Sequence, residues 1–430
     1  MKIRLPALLI LFLSVVTQSF GQANCGAASS GFTPINDLGT GTFTNAWGQV
    51  WMGGLYPNGS NYLPAAHKND GMQIAQTVLP LDTTGAIDTT NGKIVWLSIG
   101  MSHCTFETQK FIPLAYAYPN LNPKLVLVDG AQSGKKLSNI SAPWNNAYSG
   151  YWSLVASRLS NAGVTANQVE VIWLKEANSA DDYPLIHDHY DSLIVGFKRV
   201  MHELKTRFPN AKLCYMPGRS SGRYASSTLN PEPFSYYTGW ATKEIIEDQI
   251  NGDTALAYSG NNIRAPFLLW STYLWSDGST PQVTNPNIFI TCPDDLEADG
   301  THPSDPVGRT KIANWLLTFY ENDSLSCPWF FKPSFCSPVT DVNNISSMEN
   351  TISIFPDPFS TQTILHTNIP LNNATLTVYN SLGRKVKEKQ NISGQKITLQ
   401  RDNLPCGLYF ILVKQDNKIF STDRLVISDN

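Results

Sequence analysis

The chain has little charge, little that is basic, no paired-cysteine motif and, after its first residues, no long apolar run. Charged residues make up 15% of it, well below the roughly 25% of an average soluble domain. The net charge is −3, so there is no basic stripe of the kind that follows a nucleic-acid backbone. None of the seven cysteines forms a CxxC pair, which argues against a zinc cluster. No stretch beyond the N-terminus approaches the ~20 apolar residues that a membrane-spanning helix needs. Asn, Ser, Thr and Gly supply a polar surface instead. Eleven Trp and seventeen Tyr are generous. Aromatic faces can stack on sugar rings, but core packing is the commoner use.

The first residues set the compartment. Lys2 and Arg4 precede the apolar run Leu5 to Val16, and Ser19-Phe20-Gly21 follows. This three-part layout reads as a signal peptide over 1–21, with a retained membrane anchor as the rival. Cys25 could suggest lipidation, but Gln22-Ala23-Asn24 is a poor lead-in. An exported chain can form disulfides. Cys327 and Cys336 would close a short loop, and the odd count leaves at least one cysteine without an internal partner.

Composition divides the rest. Residues 25–336 alternate buried-strand runs with helical periodicity: Ile94–Gly100, Lys124–Val128, Val169–Leu174, Lys212–Met216 and Phe267–Trp270 against Phe106–Tyr118, Tyr151–Asn161 and Val307–Tyr320. The clearest helix carries Leu193, Ile194, Phe197, Val200, Met201 and Leu204. Strand and helix taking turns imply an α/β fold, a parallel sheet covered on both faces. Ligands gather at the carboxyl ends of such strands. Residues 25–90 offer no clean periodicity. Residues 337–350 are polar and read as a linker. From 351 to 430, short alternating strands separated by turns point to a small β-sandwich.

Three strand ends carry chemistry in order. Ile99-Gly-Met-Ser-His-Cys104 can hold the Ser102 hydroxyl over the sheet edge and aim helix-start N–H groups at an oxyanion; alone, Ser102 could be a helix N-cap. In Asp129-Gly-Ala-Gln-Ser-Gly-Lys135 the Gly134 N–H could face a substrate oxygen, or the segment could be a plain turn. In Lys175-Glu-Ala-Asn178 the Asn178 amide could be another oxyanion donor or an ordinary turn residue. Far downstream, Asp299-Gly-Thr-His-Pro-Ser304 precedes the last helix. There a carboxylate can lie behind an imidazole, fix its tautomer and stabilise its charged form.

That combination resembles the SGNH (GDSL-like) hydrolases over residues 90–322. The resemblance implies a flavodoxin-like α/β/α sandwich and a serine esterase that needs no cofactor or metal. Ser102 would be the nucleophile, His302 the general base and Asp299 its orienting carboxylate. The Ser102 N–H, Gly134 and Asn178 would form the oxyanion hole. The chain departs from the pattern at Met101, where Asp is usual, and at Glu176 and Ser179, which replace the Gly and Asp of Gly-x-Asn-Asp. The expected substrate is an acylated carbohydrate or other small ester. The rival from another class is a non-catalytic glycan-binding protein on the same fold, with Ser102 and His302 out of reach of each other.

Other candidates are weaker. His187-Asp-His189 could be a metal pair, but a solvated helix start is favoured. Asp294, Asp295, Glu297, Asp299 and Asp305 could bind calcium, yet show no calcium-loop spacing. Cys104 could be a nucleophile, although a buried or bonded cysteine is the default. The aromatics between Arg219 and Asp277 (Tyr224, Phe234, Tyr236, Tyr237, Trp240, Trp270, Tyr273 and Trp275) could wall a sugar site or pack a subsidiary core.

Phe355-Pro-Asp-Pro-Phe359, Tyr379-Asn-Ser-Leu-Gly-Arg-Lys385, Leu404-Pro-Cys-Gly-Leu-Tyr409 and Arg424-Leu-Val-Ile427 together resemble the type A C-terminal sorting domain of the type IX (Por) secretion system of Bacteroidetes. Asp357 stands where Asn is commoner. The resemblance implies the type IX machinery as partner, with passage through the outer membrane and then release or surface attachment. An adhesive or sugar-binding sandwich is the alternative.

Overall fold

The computed structural model describes residues 22–332, 335, 352–380, 384–415 and 418–429. The expected signal peptide over 1–21 and linker over 337–350 lie outside them. The chain divides into two compact units, Met1–Pro338 and Val339–Asn430.

In the first unit, five strands form one parallel sheet: β1 (Ile94–Gly100), β2 (Leu125–Asp129), β3 (Val169–Lys175), β4 (Leu213–Met216) and β5 (Phe267–Trp270), in the order β2-β1-β3-β4-β5. Its helices are α1 (Ala65–Gln76), α2 (Ser102–Tyr116), α3 (Tyr148–Asn161), α4 (Ile186–Arg207), α5 (Phe234–Ile250) and α6 (Val307–Asn322). All seven residues of β1 are buried, because the sheet is covered on both faces. Alternate side chains serve opposite layers. Val95, Leu97 and Ile99 join a core with Leu159 of α3, Phe197 of α4 and Trp240 of α5. Ile94 and Trp96 join the other, with Phe111 of α2 and Leu316 of α6. Trp96 Nε1 also donates to Tyr320 Oη of α6 at 2.8 Å, so a large buried side chain leaves no polar atom unpaired. The chain leaves β1 for β2 on one side and returns to β3 on the other. That reversal opens a crevice at the carboxyl ends of the central strands.

The aromatic-rich region is a packed core and not a sugar-stacking wall. Tyr224, Tyr236, Tyr237, Trp240, Trp270, Tyr273 and Trp275 are all buried. Residues 22–90 supply much of what covers them: Phe32 stacks on Tyr236 at 4.6 Å and Phe43 on Trp240 at 5.6 Å. The N-terminal segment is tied down further. A disulfide joins Cys25 to Cys292, and Asn24 N donates to Tyr224 O at 3.0 Å. Cys327 is also disulfide-bonded; Cys336, the partner its spacing suggests, is outside the described residues. Cys104, Cys214 and Cys406 are free. Among the described residues, no helix is long and apolar enough to cross a membrane.

The second unit is antiparallel: β6 (Ile352–Phe355), β7 (Gln362–Asn380), β8 (Lys385–Gln400), β9 (Gly407–Gln415) and β10 (Lys418–Ile427), ordered β8-β7-β9-β10 with β6 beside β7. The alternation predicts separate short strands over Thr363–His366 and Thr375–Tyr379, but both are parts of one long strand whose pairing with β8 shifts register repeatedly. Such bulges bend and twist a ribbon without ending it. Leu365, Val378, Ile397, Ile411, Val413 and Leu425 fill a core of its own. Asp357 Oδ1 accepts the Val426 N–H at 2.7 Å, tying the Pro-Asp-Pro turn to the last strand. This architecture is compatible with the small β-sandwich expected.

Candidate active site

Ser102 opens α2 directly after β1, and no side chain caps that helix. The hydroxyl is therefore not an N-cap. Its Oγ lies 2.7 Å from His302 Nε2. The turn beneath is held by Tyr151 of α3, whose Oη accepts the Gly100 N–H at 3.0 Å.

His302 and Asp299 share one tight turn before α6. Gly300 N donates to Glu297 O at 3.0 Å, and Glu297 N to His302 O at 2.8 Å. Gly300 has a φ of +65°, and a Cβ there would lie 1.8 Å from Tyr224 O; only glycine fits. Asp299 Oδ1 accepts the backbone N–H groups of Thr301 and His302, both at 2.9 Å. Its Oδ2 lies 2.5 Å from His302 Nδ1. A carboxylate can only accept, so Nδ1 carries the proton and Nε2 is free to accept from Ser102. Burial pushes the Asp299 carboxyl up, but the His302 ring and the two N–H groups outweigh it and hold it at about 2. It is ionised at any working pH. The imidazole packs edge-on to Phe106 at 5.4 Å, whose other neighbour is the Arg309 guanidinium, 4.0 Å from its ring.

These three side chains line a cavity of about 610 Å³ together with Gly134, Ser133 and Arg219. Gly134 has a φ of +73° with open space where a Cβ would be, so the residue is needed for its backbone conformation. The N–H groups of Ser102 and Gly134 have no acceptor among the described residues. Asn178 does not join them. It is buried, its Nδ2 donates to Ser192 Oγ at 2.9 Å, and its Oδ1 accepts the Ser138 N–H at 2.9 Å. Both ends of its amide are committed to holding loops, and it is not among the cavity's lining residues.

Arg219 and His103 are among the lining residues that the sequence did not single out. Arg219 follows β4, a strand whose end offered no recognisable motif. His103 is buried beside His302, with ring centroids 5.1 Å apart. Burial, then the nearby Arg219 charge, drives its pKa well below the usual imidazole value, so it is neutral. Cys104 is no nucleophile. Its thiol donates to Ile99 O at 3.4 Å, and burial raises its pKa well above the ordinary range.

The metal candidates separate as well. His187 is exposed, whereas His189 is buried against Phe234 and held near a pKa of about 4 by burial. Most of the acidic loop is matched by cations: Asp295 by Lys311 at 2.7 Å, Asp305 by Lys110 at 2.7 Å, and Glu297 by Arg309. Among the described residues no group of His, Cys, Asp or Glu could hold a metal ion. A larger cavity of about 820 Å³ lies between Tyr56, Trp270 and Trp315 and contains none of the expected residues.

Residues 353–428 match the family described as the secretion system C-terminal sorting domain, Por_Secre_tail. This domain directs the chain through type IX secretion to the cell surface or the extracellular space. No curated protein matches the chain in sequence. Solved structures similar to it include a gut microbial diltiazem-metabolizing enzyme (15% identity, 74% of this chain and 63% of that one, TM-score 0.32). A family two carbohydrate esterase from Clostridium thermocellum is similar over 52% of this chain and 62% of that one, at 12% identity and a TM-score of 0.28. The chain thus spans less than two thirds of either. An immunoglobulin-like β-sandwich protein of the DUF3244 family from Bacteroides vulgatus is 19% identical over 17% of this chain and 82% of that one, with a TM-score of 0.16.

Proposed function

We propose that the first unit is an exported SGNH-type serine esterase that removes O-acyl groups from a carbohydrate. The observation that carries this reading is the unbroken hydrogen-bond chain Ser102–His302–Asp299 on the wall of a cavity. The 2-1-3-4-5 parallel sheet supports it, because the nucleophile follows β1, an inner strand, at the carboxyl edge. A glycan-binding protein would have no need to keep Ser102 and His302 at 2.7 Å.

The mechanism follows from the tautomer. His302 Nε2 takes the hydroxyl proton as Ser102 Oγ attacks the ester carbonyl. Asp299 stabilises the imidazolium that forms. The free N–H groups of Ser102 and Gly134 are the donors for the tetrahedral oxyanion. Collapse expels the alcohol, which takes the proton from His302. Water, activated by the same nitrogen, then releases the acid. A sugar as the alcohol accords with delivery outside the cell, where polymers and surface glycans are met.

The test is hydrolysis of 4-nitrophenyl acetate by the parent protein and by Ser102→Ala. Loss of activity in the variant is expected. Equal rates would remove Ser102 from the chemistry. Acetate release from acetylated polysaccharides then tests the carbohydrate half of the reading.

A further inference from the structure

Arg219 is the one cation lining the catalytic cavity without a counter-ion among the described residues. It is 1% exposed, so its charge has lost nearly all its water. Nη1 reaches only the Met101 thioether, at 3.4 Å, and Nε is buried without a partner. Glu107, Glu176 and Glu232 are the carboxyl groups that act on it electrostatically, but none is hydrogen-bonded to it, and Glu107 Oε2 and Glu176 Oε1 are buried without a partner of their own. Glu107 binds Lys175 at 2.6 Å. Glu232 accepts from Gly222 N and Trp275 Nε1, both at 2.8 Å, and from Ser235. Glu176 Oε2 accepts the Ala177 N–H at 3.1 Å, and burial raises its carboxyl well above the usual value. The other lining cation, Lys136, is paired with Asp182. Burial lowers the Arg219 pKa to about 10, which leaves the group charged at neutral pH.

A buried guanidinium without its anion is costly, and a site that retains one is built to receive the anion. Guanidinium groups match carboxylates in shape and charge. Met101, Phe106 and Leu229 give the cavity apolar walls, which strengthen such a contact by excluding water. Asp181 and Glu297 also line it and favour a singly charged ligand over a phosphate dianion.

Resting on the esterase reading, we propose that Arg219 receives a free carboxylate carried by the ester substrate. That carboxylate belongs either to the sugar, as in an O-acetylated uronic acid, or to the acyl group, as in a half-ester of a dicarboxylic acid.

The experiment compares kcat/KM for matched esters that differ only in this charge. One pair is acetylated methyl galacturonoside against its methyl ester; the other is mono-4-nitrophenyl succinate against its methyl ester. The parent should prefer the charged member of one pair by roughly ten- to a hundredfold, the range for a hydrogen bond to a charged group, and the pair identifies the source. Arg219→Met should collapse that ratio toward one, mainly through KM, and Arg219→Lys should keep part of it. If Arg219→Met does not fold, inhibition of the parent by galacturonate against methyl galactoside asks the same question. No preference in either pair, or an equal loss on charged and neutral esters in Arg219→Met, overturns the carboxylate proposal and leaves the esterase reading standing. If the parent cleaves no ester, the esterase reading fails. Calorimetric titration with galacturonate and succinate then decides the carboxylate: Arg219-dependent binding keeps it, and no binding overturns it.

Discussion

Asp299 holds His302 by two routes at once, with Oδ2 on the ring Nδ1 at 2.5 Å and Oδ1 on the backbone N–H at 2.9 Å. Ring and main chain are fixed by one carboxylate. Asp299→Asn keeps the size but removes the charge and presents an NH₂ where the ring needs an acceptor. The expected loss in kcat is on the order of a thousandfold or more, measured with 4-nitrophenyl acetate. A loss smaller than about tenfold would mean that this carboxylate does not support the reaction.

Asn178 serves stability instead. Asn178→Ala strands the part-buried Ser138 N–H and should cost about 1–3 kcal/mol in urea denaturation. kcat/KM should stay within about threefold. A stable variant with a large rate defect would return Asn178 to the oxyanion hole.

Lys175 and Glu107 form a fully buried pair at 2.6 Å. Burial raises the Glu107 carboxyl and lowers the Lys175 ammonium, so each needs the other to stay charged. Removing one partner, as in Glu107→Leu or Lys175→Met, should cost about 3–5 kcal/mol. The double variant should be less destabilised than the sum of the singles. Additive losses would show that the two do not interact.

Glu170 sets a pH dependence. Burial, offset in part by Lys212 at 2.8 Å, raises its carboxyl from 4.5 to about 7. Between those values the folded chain keeps a proton that the unfolded chain has released. Stability therefore falls as pH rises across that window. Glu170→Gln cannot titrate, so it should gain on the parent from pH 4.5 to 7, by at most about 3 kcal/mol. A gap that stays constant with pH would contradict the assignment.

The Cys25–Cys292 bond joins the N-terminal segment to the loop that leads into Asp299. Cys25→Ser should lower the melting temperature, measured against the parent with and without reductant. A variant as stable as the oxidised parent would show that the bond contributes nothing.

How much of this was legible depends on how local each signal is. Ser102, Asp299 and His302 could be read because β1 is an apolar run with a sharp end and Asp-x-x-His closes on itself within one turn. Asn178 could not be settled, since a turn amide can swing toward either a substrate or a neighbouring loop. Only the positions of Ser138 and Ser192 decide which. Arg219 was overlooked because its significance lies in the carboxylates that do not reach it. The helix α5 was invisible for a different reason: Tyr236, Tyr237, Trp240 and Ala241 are buried on nearly every side, which erases amphipathic periodicity. In the second unit, register shifts let β7 run on through residues that resemble a turn.

The Tyr224 carbonyl accepts from Asn24 and also packs against Gly300, so the disulfide-tethered N-terminal segment and the Asp-Gly-Thr-His turn share one support. Closure of that tether requires oxidation, and the sorting domain sends the chain toward oxidising surroundings. The setting of the Asp299–His302 turn is thus coupled to disulfide formation: a chain with Cys25 and Cys292 reduced loses one of the ties behind that turn.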